Sequence, residues 1–264
     1  MKRVAILIAD AKYRRYAEIA ASTMRGCDTH IVDADDPKIA RRFKGLARYH
    51  SSYATYVKLL LPELLPELDW VLYVDADTLG LGDVSEVFEE VDETKLLIGS
   101  RDIPGFNLGP DVEGPWLKEH DLKFGSVAIC AGVMLMNLKA MREAKTTEKC
   151  LDFLKNYGSP PLADQTVLNY VCRERIAELS PRWDVFSMCP EGVDFTSGAI
   201  IHFPADAPWE RKKLNKLNHD FVVLWYKAQG QKCGGWRRWL FLAIKHCPWL
   251  ISWSGYLKKR LRPL

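Results

Sequence analysis

Several patterns that identify common protein classes are missing from this sequence. Its seven cysteines are scattered, and no two of them form a C-x-x-C pair. That spacing argues against a zinc module and against a disulfide framework, so free thiols in a reducing compartment are expected. No apolar run approaches the ~20 residues that cross a bilayer. The first apolar run, Val4–Ala9, is too short for us to expect a signal peptide.

Acidic residues are absent from Phe221 onward, although this stretch carries nine lysines and arginines. Because the whole chain has a formal net charge of +3, the first 220 residues carry −6 without these nine. The asymmetry predicts two parts with different tasks, a body of residues 1–220 and a tail of residues 221–264.

Short apolar runs alternate with amphipathic stretches along the body. The expected strands are Val4–Ala9, His30–Asp33, Val71–Val74, Lys95–Ser100, Ser126–Asn137 and Ala199–Phe203. The expected helical segments are Tyr16–Met24, Ser51–Leu65, Asp83–Phe88, Leu138–Tyr157 and Asp164–Arg173. Ile103–Gly125 is rich in glycine and proline and is expected to be a long loop that acts as a lid. The alternation predicts an α/β fold with a mainly parallel sheet that is covered on both faces.

The most informative stretch is Val71–Gly80, VLYVDADTLG. A buried apolar strand ends here in two carboxylates, Asp75 and Asp77, and ligands of open α/β sheets bind beyond the carboxyl ends of strands. Carboxylates are the ligands that Mg²⁺ and Mn²⁺ prefer. A simple turn is the alternative interpretation, because aspartate is common where strands end.

Other stretches extend this pattern along the chain. The segment SYATYVKLLLPELLPELDWVLYVDADTL, together with IADAKY, CAGVMLMNLKAMRE, LADQTVLN and IIHFPADAPW, resembles glycosyltransferase family 8. This family includes bacterial lipopolysaccharide glucosyl- and galactosyltransferases and the glycogenins. The resemblance runs from Ile8 to Trp209 and implies a GT-A (Rossmann-like) nucleotide-sugar-binding fold in residues 1–220. It also implies a retaining, metal-dependent transfer of glucose or galactose from a UDP-sugar to a saccharide such as lipopolysaccharide or another surface glycan.

A metal site is part of what the resemblance implies. Asp77 and His202 correspond to direct ligands of the ion, and Asp75 reaches both the metal and the ribose. An imidazole combined with carboxylates suits Mn²⁺, with Mg²⁺ as the alternative. From the residue type alone, His202 could equally be a hydrogen-bonded histidine of the core.

The resemblance also implies which residues hold the donor. The expected UDP-sugar contacts are Ala9, Asp10, Tyr13, Lys58, Asp75, Ala76, Asp102, Ala131 and Gly132. Asp10 and Tyr13 correspond to the residues that read uracil, and Lys58 stands where the family usually has arginine. Asp164 and Gln165 correspond to catalytic-site residues beside the donor sugar, although Asp164 would also suit a helix N-cap. Front-face and double-displacement mechanisms both remain open at this point.

Two positions depart from the family pattern. Cys130 replaces an asparagine that meets a donor hydroxyl, and Ala207 replaces a lysine that contacts the diphosphate. A non-catalytic nucleotide-sugar-binding protein is therefore an alternative. A weaker alternative is a haloacid-dehalogenase-like phosphatase, which Asp75–Leu79 resembles; in those enzymes the motif normally lies on the first strand and contains an additional glycine.

The tail combines tryptophans with its basic residues. Pro248 divides it into two segments with aromatic faces, and such basic, tryptophan-rich segments favour an anionic membrane surface. The expected location is cytoplasmic, on the inner face of the cell membrane, with a glycan or glycolipid as acceptor. Packing of the tail on the body and a solvated basic face are the alternatives. Nucleic acid is not expected as a partner, although basic patches do bind it in other proteins.

Overall fold

A computed structural model of the chain describes residues 2–49, 52–101, 110–187, 198–204, 207–209, 224–225 and 227–228. The chain divides into two compact units. The first unit is Met1–Val185 with Gly192–His202, and the second is Phe186–Glu191 with Phe203–Leu264. The predicted division between residues 220 and 221 stays a prediction.

The first unit is built from short strands and helices in alternation. The strands are β1 (Val4–Ala9), β2 (Asp28–Asp33), β3 (Trp70–Val74), β4 (Thr78–Leu81), β5 (Leu97–Arg101), β6 (Ile129–Asn137), β7 (Ile176–Glu178), β8 (Val185–Phe186) and β9 (Ala199–His202). The α-helices are α1 (Arg14–Thr23), α2 (Pro37–Arg42), α3 (Leu61–Leu64), α4 (Pro110–Glu119), α5 (Leu138–Glu143), α6 (Thr146–Tyr157) and α7 (Asp164–Val171). Among the described residues, 3₁₀ helices cover Ala54–Leu60, Val84–Glu90, Arg173–Arg175 and Pro181–Trp183.

In the part of the chain that the structure describes, six strands form the main sheet in the order β2-β1-β3-β6-β5-β7. The pairs β1–β2, β1–β3 and β5–β7 are parallel, whereas β6 is antiparallel to both β3 and β5. Five of the six strands therefore run in one direction. The expectation of an α/β fold with a mainly parallel sheet is confirmed, and β6 is its one reversed strand.

The central strands β1, β3 and β6 are buried on both faces, and for that reason almost all of their residues are apolar. On β3, Val71 and Tyr73 belong to the core that α5, α6 and α7 cover. Leu72 and Val74 point to the opposite core, which contains residues of α1 and of the 3₁₀ helix Val84–Glu90. All residues of β6 are buried as well.

A second, smaller sheet has the order β4-β9-β8. β4 and β9 are antiparallel, and Thr78 lies opposite His202. The hydroxyl of Thr78 donates a hydrogen bond to the carbonyl of Asp75, 2.8 Å away. This pairing brings a residue from late in the chain next to the Asp75–Asp77 turn.

Three predicted segments differ from the structure. The single helix predicted from Leu138 to Tyr157 was wrong, because Lys145 has a φ of 52° and separates α5 from α6. Within the helix predicted over Ser51–Leu65, the structure has a 3₁₀ helix, Ala54–Leu60, followed by α3. Pro62 lies in the first turn of α3, where its missing N–H costs no hydrogen bond. The segment predicted as a loop from Ile103 to Gly125 contains α4, while its residues 103–109 lie outside the described ranges.

Little of the second unit is described. Trp209 and Trp225 lie with their ring centroids 5.7 Å apart, and Trp225 is buried. The remainder of the predicted tail, apart from residues 224–225 and 227–228, lies outside the described residues. Among the described helices, none has both the length and the apolar character needed to cross a membrane.

Candidate active site

The site lies at one edge of the main sheet, where strand ends of opposite direction meet. Asp75 follows the carboxyl end of β3, and its backbone N–H donates to the carbonyl of Gly132, near the start of β6, over 2.8 Å. Because β1 is the parallel neighbour of β3, Asp10 follows a strand end at the same edge. The reversed direction of β6 therefore adds Cys130–Gly132 to a site that a fully parallel sheet would build from carboxyl ends alone.

Asp75, Asp77 and His202 converge at this edge. One possible ligand atom from each lies within 4.8 Å of the others. Nε2 of His202 lies 3.7 Å from Oδ1 of Asp77. The Asp75 and Asp77 side chains are 36% and 23% exposed, so the carboxylates are accessible while the imidazole is buried at 4%. Two carboxylates and one imidazole are a donor set that could hold a divalent ion such as Mn²⁺.

The orientation of His202 is fixed from its other side. Its Nδ1 lies 2.9 Å from Oδ1 of Asp184 and 3.8 Å from the sulfur of Cys130. Because an ionised carboxylate only accepts hydrogen bonds, Nδ1 keeps a proton and the imidazole presents Nε2 toward Asp77. A carboxylate behind a ligating histidine orients the ring and increases its basicity in metal sites.

Burial and charge oppose each other at His202. Burial acts to lower the pKa of the imidazole, but Asp184 and Cys130 outweigh it and hold this pKa well above its usual value. Burial raises the pKa of Asp77 to about 6, and the neighbouring Asp75 adds to the rise while His202 opposes it. A cation at this place would favour the ionised carboxylates.

Gly132 is required by the close approach of the imidazole. A Cβ built on Gly132 would lie 2.2 Å from Cε1 of His202 and 2.7 Å from Nε2. Any side chain at this position would therefore displace the ring. The resemblance implied a donor contact for Gly132, and the structure adds this packing contact with the histidine.

Lys58 is a buried cation that contacts the carboxylates of Asp75 and Asp164. Its ammonium lies 2.7 Å from Oδ2 of Asp164 and 3.4 Å from Oδ1 of Asp75, and it donates to the carbonyl of Ala131 over 3.0 Å. The side chain is only 3% exposed, and the ring of Tyr73 is 4.3 Å from Nζ. Burial acts to lower the pKa of Lys58, but the two aspartates raise it well above its usual value, so the ammonium stays charged.

Asp164 and Gln165 begin α7. The N-cap of α7 is Ala163, so the interpretation of Asp164 as the N-cap was wrong; its carboxylate binds Lys58 and accepts a hydrogen bond from the hydroxyl of Thr55. Burial raises the pKa of Asp164, with Lys58 acting in the opposite direction. Oε1 of Gln165 accepts a hydrogen bond from the backbone N–H of Ala131 over 3.1 Å.

The other predicted donor residues are distributed as follows. Ala9 is the last residue of β1, and Oδ1 of Asp10 accepts from the backbone N–H of Tyr13 over 3.0 Å. Ala76 lies in the turn between the two aspartates and is half-buried. Asp102 lies outside the described ranges, so its predicted role stays a prediction. Ala207 is half-buried and belongs to the second unit.

Two contributors to the site had not been predicted. Asp184 follows the 3₁₀ helix Pro181–Trp183, and no motif in the sequence marks it as a partner of His202. Tyr73 was assigned only to the buried strand, yet its hydroxyl donates to Oδ1 of Asp75. The available signal was a tyrosine, with its polar hydroxyl, near the end of an otherwise aliphatic run.

Solved structures place this architecture in a known class. The chain aligns with the galactosyltransferase LgtC, solved in complex with donor and acceptor sugar analogues, with a TM-score of 0.65 and 20% identity over 86% of this chain and 95% of that one. The bifunctional glycosyltransferase WbbM gives a TM-score of 0.66 and 16% identity over 91% of this chain and 51% of that one. The fold is the GT-A fold of glycosyltransferases.

The family follows from the sequence match. Residues 5–213 match the model of glycosyl transferase family 8, and the chain belongs to this family. Among curated relatives, glycosyltransferase GlyE of Streptococcus pneumoniae serotype 4 is 23% identical over 215 residues, which is 80% of this chain and 44% of the relative. Glycosyltransferase GlyF of the same organism is 24% identical over 222 residues, 80% of this chain and 48% of the relative. The chain thus spans about half the length of these relatives.

Proposed function

We propose that this chain is a retaining, metal-dependent glycosyltransferase that moves a hexose, glucose or galactose, from a UDP-sugar to a glycan acceptor. The observation that carries the proposal is the convergence of Asp75, Asp77 and His202 at the sheet edge in a chain of this family. The donor set suits Mn²⁺, with Mg²⁺ as the alternative.

Each residue of the cluster receives a distinct task in this proposal. Asp77 and Nε2 of His202 hold the ion, and Asp75, which is already bound by Lys58 and Tyr73, is positioned for the ion and the ribose. When bound, the ion would neutralise the charge that develops on the departing diphosphate. Asp184 acts through His202 and is a positioning residue.

Donor recognition is assigned to the ends of β1 and β6. Asp10 and Tyr13 lie in hydrogen-bond contact through the Tyr13 backbone, which favours their joint role as acceptor and stacking ring for uracil. Ala9, Ala76, Ala131, Gly132 and Asp102 complete the proposed donor contacts. The buried ammonium of Lys58 stabilises the carboxylates of Asp75 and Asp164 in this site.

The contacts of Asp164 favour a front-face mechanism over double displacement. A double displacement requires a free carboxylate that can attack the anomeric carbon. In Asp164, one oxygen is paired with Lys58 and the other accepts from Thr55, so both are engaged. We therefore assign Asp164 and Gln165 to the positioning of the donor sugar at the reaction centre.

The acceptor is proposed to be a glycan or glycolipid such as lipopolysaccharide. The basic, tryptophan-rich residues 221–264 would hold the enzyme on the inner, anionic face of the cell membrane. Sedimentation with anionic liposomes tests this part: full-length protein should pellet with the vesicles, and a variant that ends at Asp220 should stay in the supernatant. Equal solubility of the two would refute the membrane role.

The central experiment is a donor screen that measures UDP release and sugar transfer with and without Mn²⁺. We expect turnover with a UDP-hexose only when the metal is present, and Asp77→Asn should reduce kcat by about 100-fold or more. The exposed Glu178→Gln variant is the matched control and should retain activity.

The other outcomes of this screen separate the alternatives. UDP binding without any turnover would favour the non-catalytic nucleotide-sugar-binding protein that Cys130 and Ala207 suggest. Release of phosphate from a simple monoester would favour the phosphatase. Metal-independent transfer would refute the role proposed for Asp75, Asp77 and His202.

A further inference from the structure

A second group of ligand-type side chains lies on the opposite side of His202. It consists of Cys130, Asp184 and Nδ1 of His202, whose ligand atoms lie within 4.8 Å of one another. The sulfur is 3.8 Å and Oδ1 of Asp184 is 2.9 Å from Nδ1. All three residues are buried, with 6% exposure or less.

These separations are close to those of a tetrahedral zinc site. With Zn–S at about 2.3 Å and Zn–N at about 2.0 Å, tetrahedral angles place sulfur and nitrogen about 3.6 Å apart, and nitrogen and carboxylate oxygen about 3.3 Å apart. The separations at Nδ1 are 3.8 Å for the sulfur and 2.9 Å for the oxygen. The observed separations therefore differ from the tetrahedral ones by about 0.2 Å for the sulfur and about 0.4 Å for the oxygen.

One oxygen of this group is unsatisfied. Oδ2 of Asp184 is buried and has no hydrogen-bond partner among the described residues. A buried polar atom left in this state is destabilising, and a bound cation would satisfy it. The thiol of Cys130 determines which cation, because thiolate ligands select Zn²⁺ over Mn²⁺ and Mg²⁺.

We propose that Cys130, Asp184 and Nδ1 of His202 form a binding site for Zn²⁺, and that zinc bound there inhibits the enzyme. The thiol releases its proton to solvent when sulfur binds the ion. The ion also takes the place of the proton on Nδ1, which leaves to solvent, so the ring keeps its one proton on Nε2 and presents an N–H to Asp77 in place of a lone pair. His202 then no longer binds the ion of the Asp75–Asp77 side.

The inhibitory effect rests on the proposed function, whereas the binding of zinc does not. Cobalt(II) is a suitable probe for the binding, because a Co²⁺–thiolate bond gives a charge-transfer absorption that oxygen and nitrogen ligands do not. Full-length protein with one equivalent of Co²⁺ should show this band. Cys130→Ser should abolish it, and the control Cys27→Ser, which alters a half-buried cysteine elsewhere, should retain it.

A second measurement tests the competition. Mn²⁺ bound to the protein is followed by electron paramagnetic resonance while Zn²⁺ is added. We expect zinc to release Mn²⁺ from the unmodified protein, and the zinc concentration for half release to rise tenfold or more in Cys130→Ser. Equal release from both proteins would mean simple exchange at Asp75 and Asp77 and would overturn the inhibition.

The Asp77→Ala variant distinguishes the failure of this proposal from that of the proposed function. It lacks a ligand of the first site but retains all three of the second, so its cobalt–thiolate band should persist. A band that is absent from the unmodified protein, or that persists unchanged in Cys130→Ser, would overturn the zinc site whatever the transferase activity. A cobalt band in a protein without transferase activity would leave the zinc site standing and refute only the proposed function.

Discussion

Lys58 should contribute more to stability than any surface ion pair of this protein. Its ammonium lies 2.7 Å from Asp164, and the two side chains are 3% and 7% exposed. The substitution Lys58→Met keeps the length of the apolar stem and removes only the charge. Asp164 is then a buried carboxylate with no cation, and the loss of one partner from a buried pair costs about 3–5 kcal/mol.

This cost converts to a fall in the melting temperature of about 6–20 °C, at about 2–4 °C per kcal/mol for a protein of this size. It also depends on pH. Without Lys58, the folded-state pKa of Asp164 rises further above its unfolded value, and such a group stabilises the fold at low pH and loses that contribution as pH rises. The deficit of Lys58→Met should therefore be smaller at about pH 5 than at about pH 8.

Thermal and urea unfolding of the purified proteins at the two pH values measure both effects. Arg101→Met is the matched control, because it breaks the exposed pair with Glu178 and should leave the midpoint almost unchanged. The double variant Lys58→Met/Asp164→Leu should recover much of the loss, since no unpaired charge stays buried. A deficit below about 1 kcal/mol, or one that is the same at both pH values, would refute this reasoning.

Three further predictions concern the site and the core. Gly132→Ala should weaken Mn²⁺ binding tenfold or more, because the new Cβ displaces His202. Titration calorimetry measures this affinity. The control Gly114→Ala, whose Cβ meets open space, should bind Mn²⁺ as the unmodified protein does. Asp184→Ala should lower Mn²⁺ affinity about 10–100-fold and Asp184→Asn less, since an amide oxygen can still accept from Nδ1; equal losses would contradict the hydrogen-bond role. Burial raises the pKa of Cys172 to about 12, so mass spectrometry after iodoacetamide treatment should find it unmodified in folded protein and alkylated in urea. Labelling of the folded protein at the unfolded rate would show that this thiol is not buried.

The sequence predicted the parts of the site that depend on strand ends. An apolar run followed by Asp75 and Asp77 indicates a buried strand with an acidic end, and the structure has this arrangement. The resemblance added His202, and the structure brings its imidazole to the same edge. The strand β4, which makes that approach possible by pairing with β9, was not predicted, because its four residues follow the acidic turn without a pattern of their own.

Features that depend on contacts between distant parts of the chain could not be predicted from sequence patterns. Asp184 meets His202 only because β8 and β9 lie in one small sheet, and the local sequence carries no sign of it. The break between α5 and α6 occurs at Lys145, a residue type that gives no turn signal, so the apolar periodicity continued through it. Lys58 was predicted at the donor from the resemblance, but periodicity could not show that it is buried against Asp164.

The reversal of β6 also determines where this enzyme can vary. β5 runs in the same direction as β3, and β6 returns antiparallel beside it, so the connection formed by residues 102–128 leaves the sheet and re-enters it at the edge that carries the acidic pair. Insertions or deletions in that connection outside α4 would leave the strand register untouched, whereas α4 itself packs into the core through Leu117. Relatives with different acceptors are therefore expected to diverge in this connection while they keep the same sheet.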